Sequence, residues 1–160
     1  MDYIWSPWRY QYLTAPANPE ACIFCTMAAA NQDQEYLIVH RGDHNFVVLN
    51  RFPYTSGHLM VVPYRHVPDL SGLDESIAAE LMALTRASER HLRSVYCPDG
   101  LNLGMNIGES AGAGIAGHIH MHVLPRWRGD ANFMTTVGQT RVLPEELTVT
   151  WRRLREAFTA

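Results

Sequence analysis

"GHIHMHVLPRW", residues 117–127, places histidines at positions 118, 120 and 122 in alternation with three apolar residues. Successive side chains of a β-strand point to opposite faces, so a strand over residues 118–124 would put the three imidazoles on one face. Ile119, Met121 and Val123 would then face the core. On a helix, the same spacing would scatter the rings around the axis. The pattern predicts a strand that carries a site, and a polar strand face without a function is the alternative that the histidines alone leave open.

The segment just before the histidines, "NIGESAGAGIAG" at 106–117, contains four glycines among small side chains. With so little side-chain bulk, its backbone N–H groups can come close to a phosphate. A flexible turn explains this loop equally well when it is considered alone. The loop and the imidazole row together indicate phosphorus chemistry.

Composition limits the function classes open to the chain. Its 160 residues suit one compact domain, and 47% hydrophobic with 18% charged residues are typical of a globular protein. The formal net charge of −3 supplies no basic field for nucleic acid. No apolar run approaches the roughly 20 residues of a membrane span, and no secretory pattern is present. We therefore expect a cytoplasmic protein that binds neither nucleic acid nor a membrane.

Runs of apolar residues before the triad predict three strands and a long helix. "YLIVHRG" and "NFVVLN", separated by Gly42 and Asp43, indicate a hairpin, and "GHLMVVPYRH" indicates a third strand that ends near Pro63. Residues 73–96 have mostly helical spacing, with Asp74 as the N-cap and "CPDG" as the stop.

Two more strands, "LNLGMNIG" and "HIHMHVLP", and a helix over 143–158 with Pro144 near its first turn complete the pattern. The order of elements predicts an α+β fold: a mostly antiparallel sheet with a long helix and a C-terminal helix. Residues 1–21 are aromatic and broken by proline, which indicates an irregular arm that docks on a surface. The predicted domain covers residues 22–160.

"HIHMHVL" matches the His-φ-His-φ-His-φ-φ signature, and the chain resembles the histidine triad (HIT) family of nucleotidyl hydrolases and transferases. "VVLNRFPYTSGHLMVVPYRH" resembles the second and third strands of that family. "HMHVLPRWRGDANFM" and "WSPWRYQYL" extend the similarity to the diadenosine tetraphosphate phosphorylase and hydrolase branch, over most of the chain. The resemblance implies a HIT-like fold and a homodimer whose sheet continues across the two-fold axis through residues 75–107.

The resemblance also implies the catalytic residues. His120, the middle histidine, is the expected nucleophile, which attacks the α-phosphorus of a nucleotide and forms a covalent nucleotidyl-histidine. A backbone carbonyl is expected to hold the proton on its other ring nitrogen. His122 is expected to donate a hydrogen bond to the same phosphate or to the leaving group. His58, in "SGHL", is expected to support the triad without reacting.

Expected substrate contacts follow from the same resemblance: Asn50 at the ribose, Asn106 at a phosphate, the backbone N–H groups of Ala113 and Gly114 at a phosphate, and Trp127 close to the substrate. Relatives usually carry Ser, Thr or Gln near position 114, so Ser110 is a candidate to replace that side chain. Trp127 is otherwise a packed surface tryptophan. Arg126 and Arg128 either steer polyphosphate toward the site or are solvated rim residues.

"CIFC", residues 22–25, has the spacing of half a zinc site. The resemblance supplies His66 and His118 as the other two ligands, which would close a four-coordinate structural site with Cys22 and Cys25. Two buried free thiols or a redox pair are the alternatives.

Several functions are compatible with this sequence. The first is an enzyme that cleaves dinucleoside polyphosphates at the α-phosphate, by phosphorolysis or by hydrolysis. A hydrolase of adenosine phosphoramidates is a close alternative. A non-catalytic nucleotide-binding module and a zinc-dependent metalloenzyme belong to other classes, and the two cysteines count against the metalloenzyme because they close the metal site.

Overall fold

The computed structural model describes residues 22–138 and 143–159, so the predicted arm at residues 1–21 lies outside the described part of the chain. Its helices are α1 (Ile23–Ala29), α2 (Asp33–Tyr36), α3 (Glu75–Tyr96), α4 (Phe133–Thr136) and α5 (Leu147–Thr159). Its strands are β1 (Ile38–Arg41), β2 (Asn45–Leu49), β3 (Leu59–Pro63), β4 (Gly100–Gly104) and β5 (Met121–Arg126).

The five strands form one sheet in the order β1-β2-β3-β5-β4, and each neighbouring pair is antiparallel. This confirms the predicted α+β arrangement with a long helix and a C-terminal helix. The hairpin across residues 42–44 is also confirmed, because β1 pairs with β2 on either side of it. β5 lies between β3 and β4, which places His122 inside the sheet.

One face of the sheet forms the main core with α3 and α5. Alternation along the strands sends Val47, Val61 and Val123 to this face, where they pack against Leu81 of α3 and Leu154 of α5. These side chains are almost completely buried. Burial of this kind is worth about 25 cal/mol per Å² of apolar surface, so this layer holds the sheet in place.

The opposite face carries α1 and the triad. Phe24 and Met27 of α1 pack on a smaller cluster that includes Phe46, Val48 and Met60. The C-terminal end of α1 is tied to β1 by Arg41, whose guanidinium donates to the carbonyl oxygens of Met27, Ala28 and Ala30 and to the carboxylate of Asp33. α1 is thereby held over the sheet beside the histidines.

The strand predicted over residues 118–124 begins only at Met121, so the prediction was three residues too early. β3 pairs with β5 no further than Val61 opposite Met121. β3 ends at Pro63, which has no N–H to continue the ladder. The N–H of Ile119 instead donates to the carbonyl of Val67 at 2.8 Å. Ile119 and Val123 are nevertheless buried, as the alternation predicted.

Three further predictions need correction. β4 ends at Gly104, short of the predicted strand through residue 108. α5 begins at Leu147 and leaves Pro144 outside the helix. Asp74 stands at the N-cap of α3 but makes no side-chain cap hydrogen bond, because its carboxylate pairs with Arg65 at 2.6 Å.

Among residues 22–138 and 143–159, no helix combines the length and the apolar character needed to cross a membrane.

Candidate active site

A cavity of about 320 Å³ lies between α1, the triad face of the sheet and the glycine-rich loop. Two of the three histidines, His120 and His122, line it, together with Asn50, Asn106 and Gly114. The remaining wall is mostly apolar and aromatic: Ile23, Phe24, Met27, Tyr36, Leu49, Phe52, Tyr54, Met60 and Ile115. The cavity therefore combines a few polar groups with a large apolar surface, as small-ligand sites do.

The ring of His120 is held by its own backbone. Its Nδ1 lies 2.9 Å from the carbonyl oxygen of His118, and a carbonyl can only accept, so Nδ1 carries the proton. In the neutral ring, Nε2 is then left with a free lone pair. His120 is 6% exposed and lines the cavity, so the Nε2 lone pair belongs to a ring that is largely shielded from water. This is the arrangement a nitrogen nucleophile needs.

A chain of hydrogen bonds decides the tautomer of His122. The backbone N–H of Tyr54 donates to Nδ1 of His58 at 3.2 Å, so the proton of the neutral His58 ring is on Nε2. That Nε2 lies 2.9 Å from Nδ1 of His122 and donates to it. The proton of His122 is therefore on its own Nε2, and the ring can donate a hydrogen bond into the cavity.

Burial keeps these rings neutral. It lowers the pKa of His120, against the opposing effect of the His118 carbonyl. Burial, reinforced by the neighbouring His120, lowers the pKa of His122 to about 4. The ring centroids of His120 and His122 are 4.8 Å apart, so protonation of one would penalise protonation of the other. Both imidazoles are neutral at pH 7, one as a lone-pair donor and one as a hydrogen-bond donor.

The glycine-rich loop closes one end of the cavity with backbone. Gly108 and Gly112 have φ angles of 82° and 88°, which glycine adopts without strain. Gly112 and Gly114 line the cavity, while Ala113 is buried behind it and its N–H donates to the carbonyl of Gly108 at 3.3 Å. The structure thus brings Gly114 to the site but commits the Ala113 amide elsewhere. Ser110, the candidate to replace the side chain that position 114 lacks, is not among the residues that line the cavity.

Asn50 and the apolar wall complete the cavity. The Oδ1 atom of Asn50 accepts from the N–H of Phe52 at 3.0 Å, and its Nδ2 lies 3.4 Å from His58. Sequence reasoning found Asn50 and Asn106 but missed the apolar and aromatic wall. Two of these residues, Ile23 and Phe24, lie between the cysteines of "CIFC", where an apolar residue type by itself gives no sign of a cavity wall.

The second cluster of chemical interest joins the N-terminal cysteines to two histidines. Cys22, Cys25, His66 and His118 present ligand atoms that all lie within 4.8 Å of one another. Cys22 Sγ lies 3.3 Å from His118 Nδ1, Cys25 Sγ lies 3.4 Å from His66 Nδ1, and the two Nδ1 atoms are 3.2 Å apart. A tetrahedral zinc ion separates such N and S ligands by roughly 3.3–3.8 Å, so the donor set fits this metal.

The orientation of His118 supports the same assignment. Its Nε2–H donates to the carbonyl oxygen of Pro63 at 2.8 Å, which leaves the lone pair of Nδ1 directed at the cysteines. Metal-bound histidines are typically oriented by such a hydrogen bond on the second nitrogen. His118 thus serves two clusters: its side chain lies with the cysteines, and its carbonyl oxygen holds the ring of His120.

The same short helix also contributes to both clusters. Phe24, inside the "CIFC" segment, contacts the rings of His118 and His120 at centroid distances of 5.4 and 5.0 Å. The cysteine segment is therefore a wall of the cavity as well as a source of ligands.

Trp127 and Arg126 lie away from the histidines. Trp127 lines a second cavity and contacts Tyr96 at 6.4 Å between ring centroids. Arg126 is held by both carboxylate oxygens of Asp130, at 2.6 and 2.9 Å, and donates to Asn102. Because Asp130 offsets its charge, Arg126 is better described as a rim residue than as a charge that steers polyphosphate.

Comparison with known proteins gives consistent results. The HIT domain family matches residues 31–129. An AP-4-A phosphorylase of Mycobacterium tuberculosis is 43% identical over 166 aligned residues, which cover 96% of this chain and 83% of that protein. The structure superposes on a zinc-bound histidine triad family protein of Mycobacterium smegmatis with a TM-score of 0.69, at 27% identity over 87% of this chain and 94% of the other. It superposes on a hypothetical histidine triad nucleotide-binding protein of Sulfolobus tokodaii with a TM-score of 0.70, at 28% identity over 86% of this chain and 92% of the other.

Proposed function

The chain belongs to the HIT domain family, and on that premise we propose that it cleaves dinucleoside polyphosphates at the α-phosphate through a covalent nucleotidyl-His120. The observation that carries this proposal is the hydrogen bond from His120 Nδ1 to the His118 carbonyl, which leaves Nε2 as a lone-pair nitrogen in a shielded cavity. The 43% identity to an AP-4-A phosphorylase supports the choice of substrate class.

In the first step, Nε2 of His120 attacks the α-phosphorus. A nitrogen–phosphorus bond forms as the bond from that phosphorus to the bridging oxygen of the leaving polyphosphate breaks. Negative charge develops on the bridging oxygen and on the non-bridging oxygens. The Nε2–H of His122, oriented through His58, is placed to donate to one of these oxygens.

In the second step, an acceptor oxygen attacks the same phosphorus and the nitrogen–phosphorus bond breaks, which restores neutral His120. Inorganic phosphate as the acceptor gives a nucleoside diphosphate, and water gives a nucleoside monophosphate. The Nε2–H of His122 is placed to donate to the phosphoryl oxygens again in this step, and the proton of a water acceptor passes to solvent, because Nδ1 of His122 already accepts from His58. Phosphorolysis is the form that the 43% identical relative supports.

The apolar part of the cavity is the proposed site of the nucleoside. Phe24 and Ile115 offer surfaces for a base, and Phe52, 59% exposed, stands at the rim. Asn50 is the proposed contact of the ribose hydroxyls. Asn106 and Gly114 are the proposed contacts of the phosphate, at the end of the cavity where the histidines lie.

We assign zinc to Cys22, Cys25, His66 and His118 as a structural ion. When bound, it would cross-link α1 to the chain after β3 and to the start of the triad segment. Its four ligands leave no open position for substrate, so catalysis remains with His120 and His122. A cytoplasmic location, which keeps both thiols reduced, belongs to the same proposal.

The homodimer is supported by an unpaired sheet edge. Within residues 22–138 and 143–159, β4 pairs only with β5, and its other edge leaves backbone groups unpaired beside Leu103 and Ile107, which are 48% and 45% exposed. Pairing of β4 with the same strand of a second copy would satisfy these groups and continue the sheet across the two subunits.

Product analysis with diadenosine tetraphosphate tests the proposed function. ADP plus ATP, formed only with inorganic phosphate, is the expected result. AMP plus ATP without phosphate would identify a hydrolase. Turnover of adenosine phosphoramidates and not of diadenosine tetraphosphate would identify a phosphoramidate hydrolase instead. Binding of nucleotide with no product under any of these conditions would overturn the proposal in favour of a binding module.

A further inference from the structure

Cys22 and Cys25 belong to the proposed zinc site, but their placement also permits a reaction with each other. All three cysteines of the chain are free thiols in the structure, and Cys97 stands apart, exposed at the C-terminal end of α3. Cys22 is the N-cap of α1 and Cys25 lies in its first turn. Their Sγ atoms are within 4.8 Å of each other. The pair is therefore close to the distance at which a disulfide forms.

The local backbone allows the two sulfurs to meet. A disulfide needs an S–S separation of about 2 Å, and residues three apart on one helical turn have Cβ atoms roughly 5–6 Å apart, slightly more than a disulfide spans. Cys22 lies outside the helical region of φ and ψ, and its side chain makes no cap hydrogen bond. Closure of the pair thus needs rotation of two side chains and a small shift of the first turn, while the rest of α1 stays folded.

Solvent can deliver an oxidant to these thiols. Cys22 and Cys25 are both partly exposed, whereas Phe24 between them is 1% exposed. Fully buried structural cysteines are inert to dissolved reagents, and partly exposed ones are not. A small molecule such as a hydroperoxide therefore has access to the sulfur atoms without opening the core.

A disulfide would take both sulfurs away from the metal. Cys22 Sγ lies 3.3 Å from His118 Nδ1, and Cys25 Sγ lies 3.4 Å from His66 Nδ1, which is the spacing that suits a shared ion. Zinc binds the thiolate form of cysteine, and a disulfide sulfur has no such charge to offer. Two of the four ligands would be lost together, so zinc would be released along with the cross-link that it makes.

Phe24 connects the cysteine pair to the nucleophile. Its ring contacts that of His120 at a centroid distance of 5.0 Å, and it lines the cavity together with Ile23. The C-terminal end of α1 is fixed to β1 by Arg41, which donates to the carbonyl oxygens of Ala28 and Ala30. A shift at the cysteines would consequently fall on the first turn, the one that carries this part of the cavity wall.

His118 is a second connection between the two clusters. Its side chain belongs to the zinc ligands, and its carbonyl oxygen accepts from Nδ1 of His120 at 2.9 Å. Loss of zinc would leave the ring of His118 with its hydrogen bond to Pro63 but without the metal. The backbone that fixes the tautomer of His120 would then be held less firmly.

We propose that Cys22 and Cys25 are an oxidation site, at which a hydroperoxide forms an intramolecular disulfide, releases zinc and lowers activity at His120. This inference rests on the proposed zinc site and the proposed function, and it adds regulation by oxidants to them. The reduced, zinc-bound protein is the active form.

The reaction has two steps. One Sγ attacks an oxygen of the hydroperoxide, so that an S–O bond forms, the O–O bond breaks, and the departing oxygen takes a proton and leaves as an alcohol or as water. The other Sγ attacks the resulting sulfenic sulfur, so that the S–S bond forms, the S–O bond breaks, and the hydroxyl takes a proton and leaves as water. The two thiolates lose two electrons in all, and the hydroperoxide gains them.

The test treats zinc-loaded wild-type protein with hydrogen peroxide. A chromogenic chelator should detect about one zinc ion released per chain. Trypsin leaves both cysteines in one peptide, residues 10–41, because no Arg or Lys lies between Arg9 and Arg41. This peptide should lose two hydrogen atoms and resist alkylation.

Activity is measured on the same samples. The kcat/KM for diadenosine tetraphosphate should fall about 10-fold or more, since small displacements at an active site have effects of this size. It should return after dithiothreitol and zinc are added. Recovery separates the disulfide from oxidised methionine, which needs a dedicated reductase enzyme.

Two variants serve as controls. Cys97→Ser should respond as the wild type does, which excludes cross-links through the exposed thiol. Cys25→His keeps a nitrogen ligand for zinc but removes the second thiol. The ratio of its kcat/KM with and without peroxide should therefore stay near one, and its zinc should stay bound.

The outcomes that overturn the inference are distinct from those that overturn the proposed function. Treated wild type that contains no disulfide between Cys22 and Cys25, or that forms it and keeps its zinc and activity, would overturn the inference. Wild type that contains no zinc when purified without chelator would overturn the zinc assignment and the inference together. Zinc release and disulfide formation in a protein that shows no turnover even when reduced would refute the proposed function and leave the oxidation site in place.

Discussion

The Nε2 atom of His58 lies 2.9 Å from Nδ1 of His122, and this contact sets which nitrogen of His122 carries its proton. His58 is completely buried, and its Nδ1 accepts a hydrogen bond from the N–H of Tyr54. The neutral ring therefore has a single N–H, on Nε2, and it donates to Nδ1 of His122. His58 thus orients the ring of His122, which lines the cavity, although His58 is not itself one of the residues that line it.

His58→Ala should lower kcat about 100-fold, since His122 would be free to take the tautomer that has no Nε2–H to donate, and positioned donors are worth about that much. His58→Gln, whose side-chain N–H can still donate to Nδ1 of His122, should recover most of the activity. Single-turnover kinetics on both variants, with thermal unfolding as a fold check, make the comparison. Equal losses in the two variants at equal stability would show that orientation of His122 is not the role of His58.

His120→Ala should abolish turnover, by about 10³-fold or more, because no other residue in the described part of the cavity wall offers a lone-pair nitrogen there. Intact-mass measurement during turnover should show wild-type protein carrying one nucleotidyl group, and the variant should show none. His44→Ala is the matched control, since His44 is exposed at the hairpin turn. Nucleotidylation that persists in His120→Ala would move the nucleophile elsewhere.

The neutral state of His122 has a consequence for stability. Its pKa is lowered to about 4 in the folded protein, whereas an unfolded histidine titrates near 6.5. The unfolded chain therefore binds an extra proton below pH 6.5, and folding stability falls as the pH drops from 6.5 toward 4. In chemical denaturation, the wild type should lose about 3 kcal/mol more than His122→Gln over this range. Parallel pH dependence in the two proteins would contradict the lowered pKa.

Removal of one cysteine ligand should remove the metal. Cys22→Ser should reduce bound zinc from one ion per chain to well below that, and should lower the free energy of unfolding by several kcal/mol, since a structural ion contributes directly to folding. Elemental analysis and denaturation measure the two effects. Cys97→Ser is the control, because Cys97 is exposed and lies outside the ligand cluster. Wild-type protein that is purified without chelator and contains no zinc would refute the assignment.

A charge on the open edge strand should break the homodimer. Leu103→Asp places a carboxylate beside the exposed edge of β4, and in the paired sheet it would face apolar surface and the same charge from the second copy. Analytical ultracentrifugation should show a dimer for the wild type and a monomer for this variant. Phe133→Asp, at an apolar residue of α4 that is 72% exposed, should remain dimeric. A wild type that sediments as a monomer would exclude the dimer.

Much of this architecture could be predicted from local pattern. The apolar runs of β2 and β3, the alternation in β5 and the helical spacing of residues 75–96 can all be read from neighbours in sequence. The start of β5 was predicted too early for a different reason. Whether residues 118–120 join a ladder depends on the end of β3 at Pro63, more than 50 residues away.

Some residues of the site could likewise be predicted from the sequence, and others could not. The triad spacing and the "CIFC" pair mark His120, His122, Cys22 and Cys25 as candidates, and the family resemblance adds Asn50, His58, His66 and Asn106. Phe24 escaped notice because an apolar residue between two cysteines has no signature of its own. Trp127 was expected near the substrate, but the structure places it on the wall of the second cavity and not on that of the cavity lined by His120 and His122.

By itself, the sequence determined which residues could carry the chemistry and which faces of the strands they occupy, since both follow from residue type and a local repeat. The tertiary structure alone decided which nitrogen of His118 and which nitrogen of His122 holds the proton. That choice depends on partners distant in the chain: Pro63 for His118 and His58 for His122. A hydrogen bond forms only where folding brings donor and acceptor within about 3 Å, and no periodicity in the sequence encodes that distance.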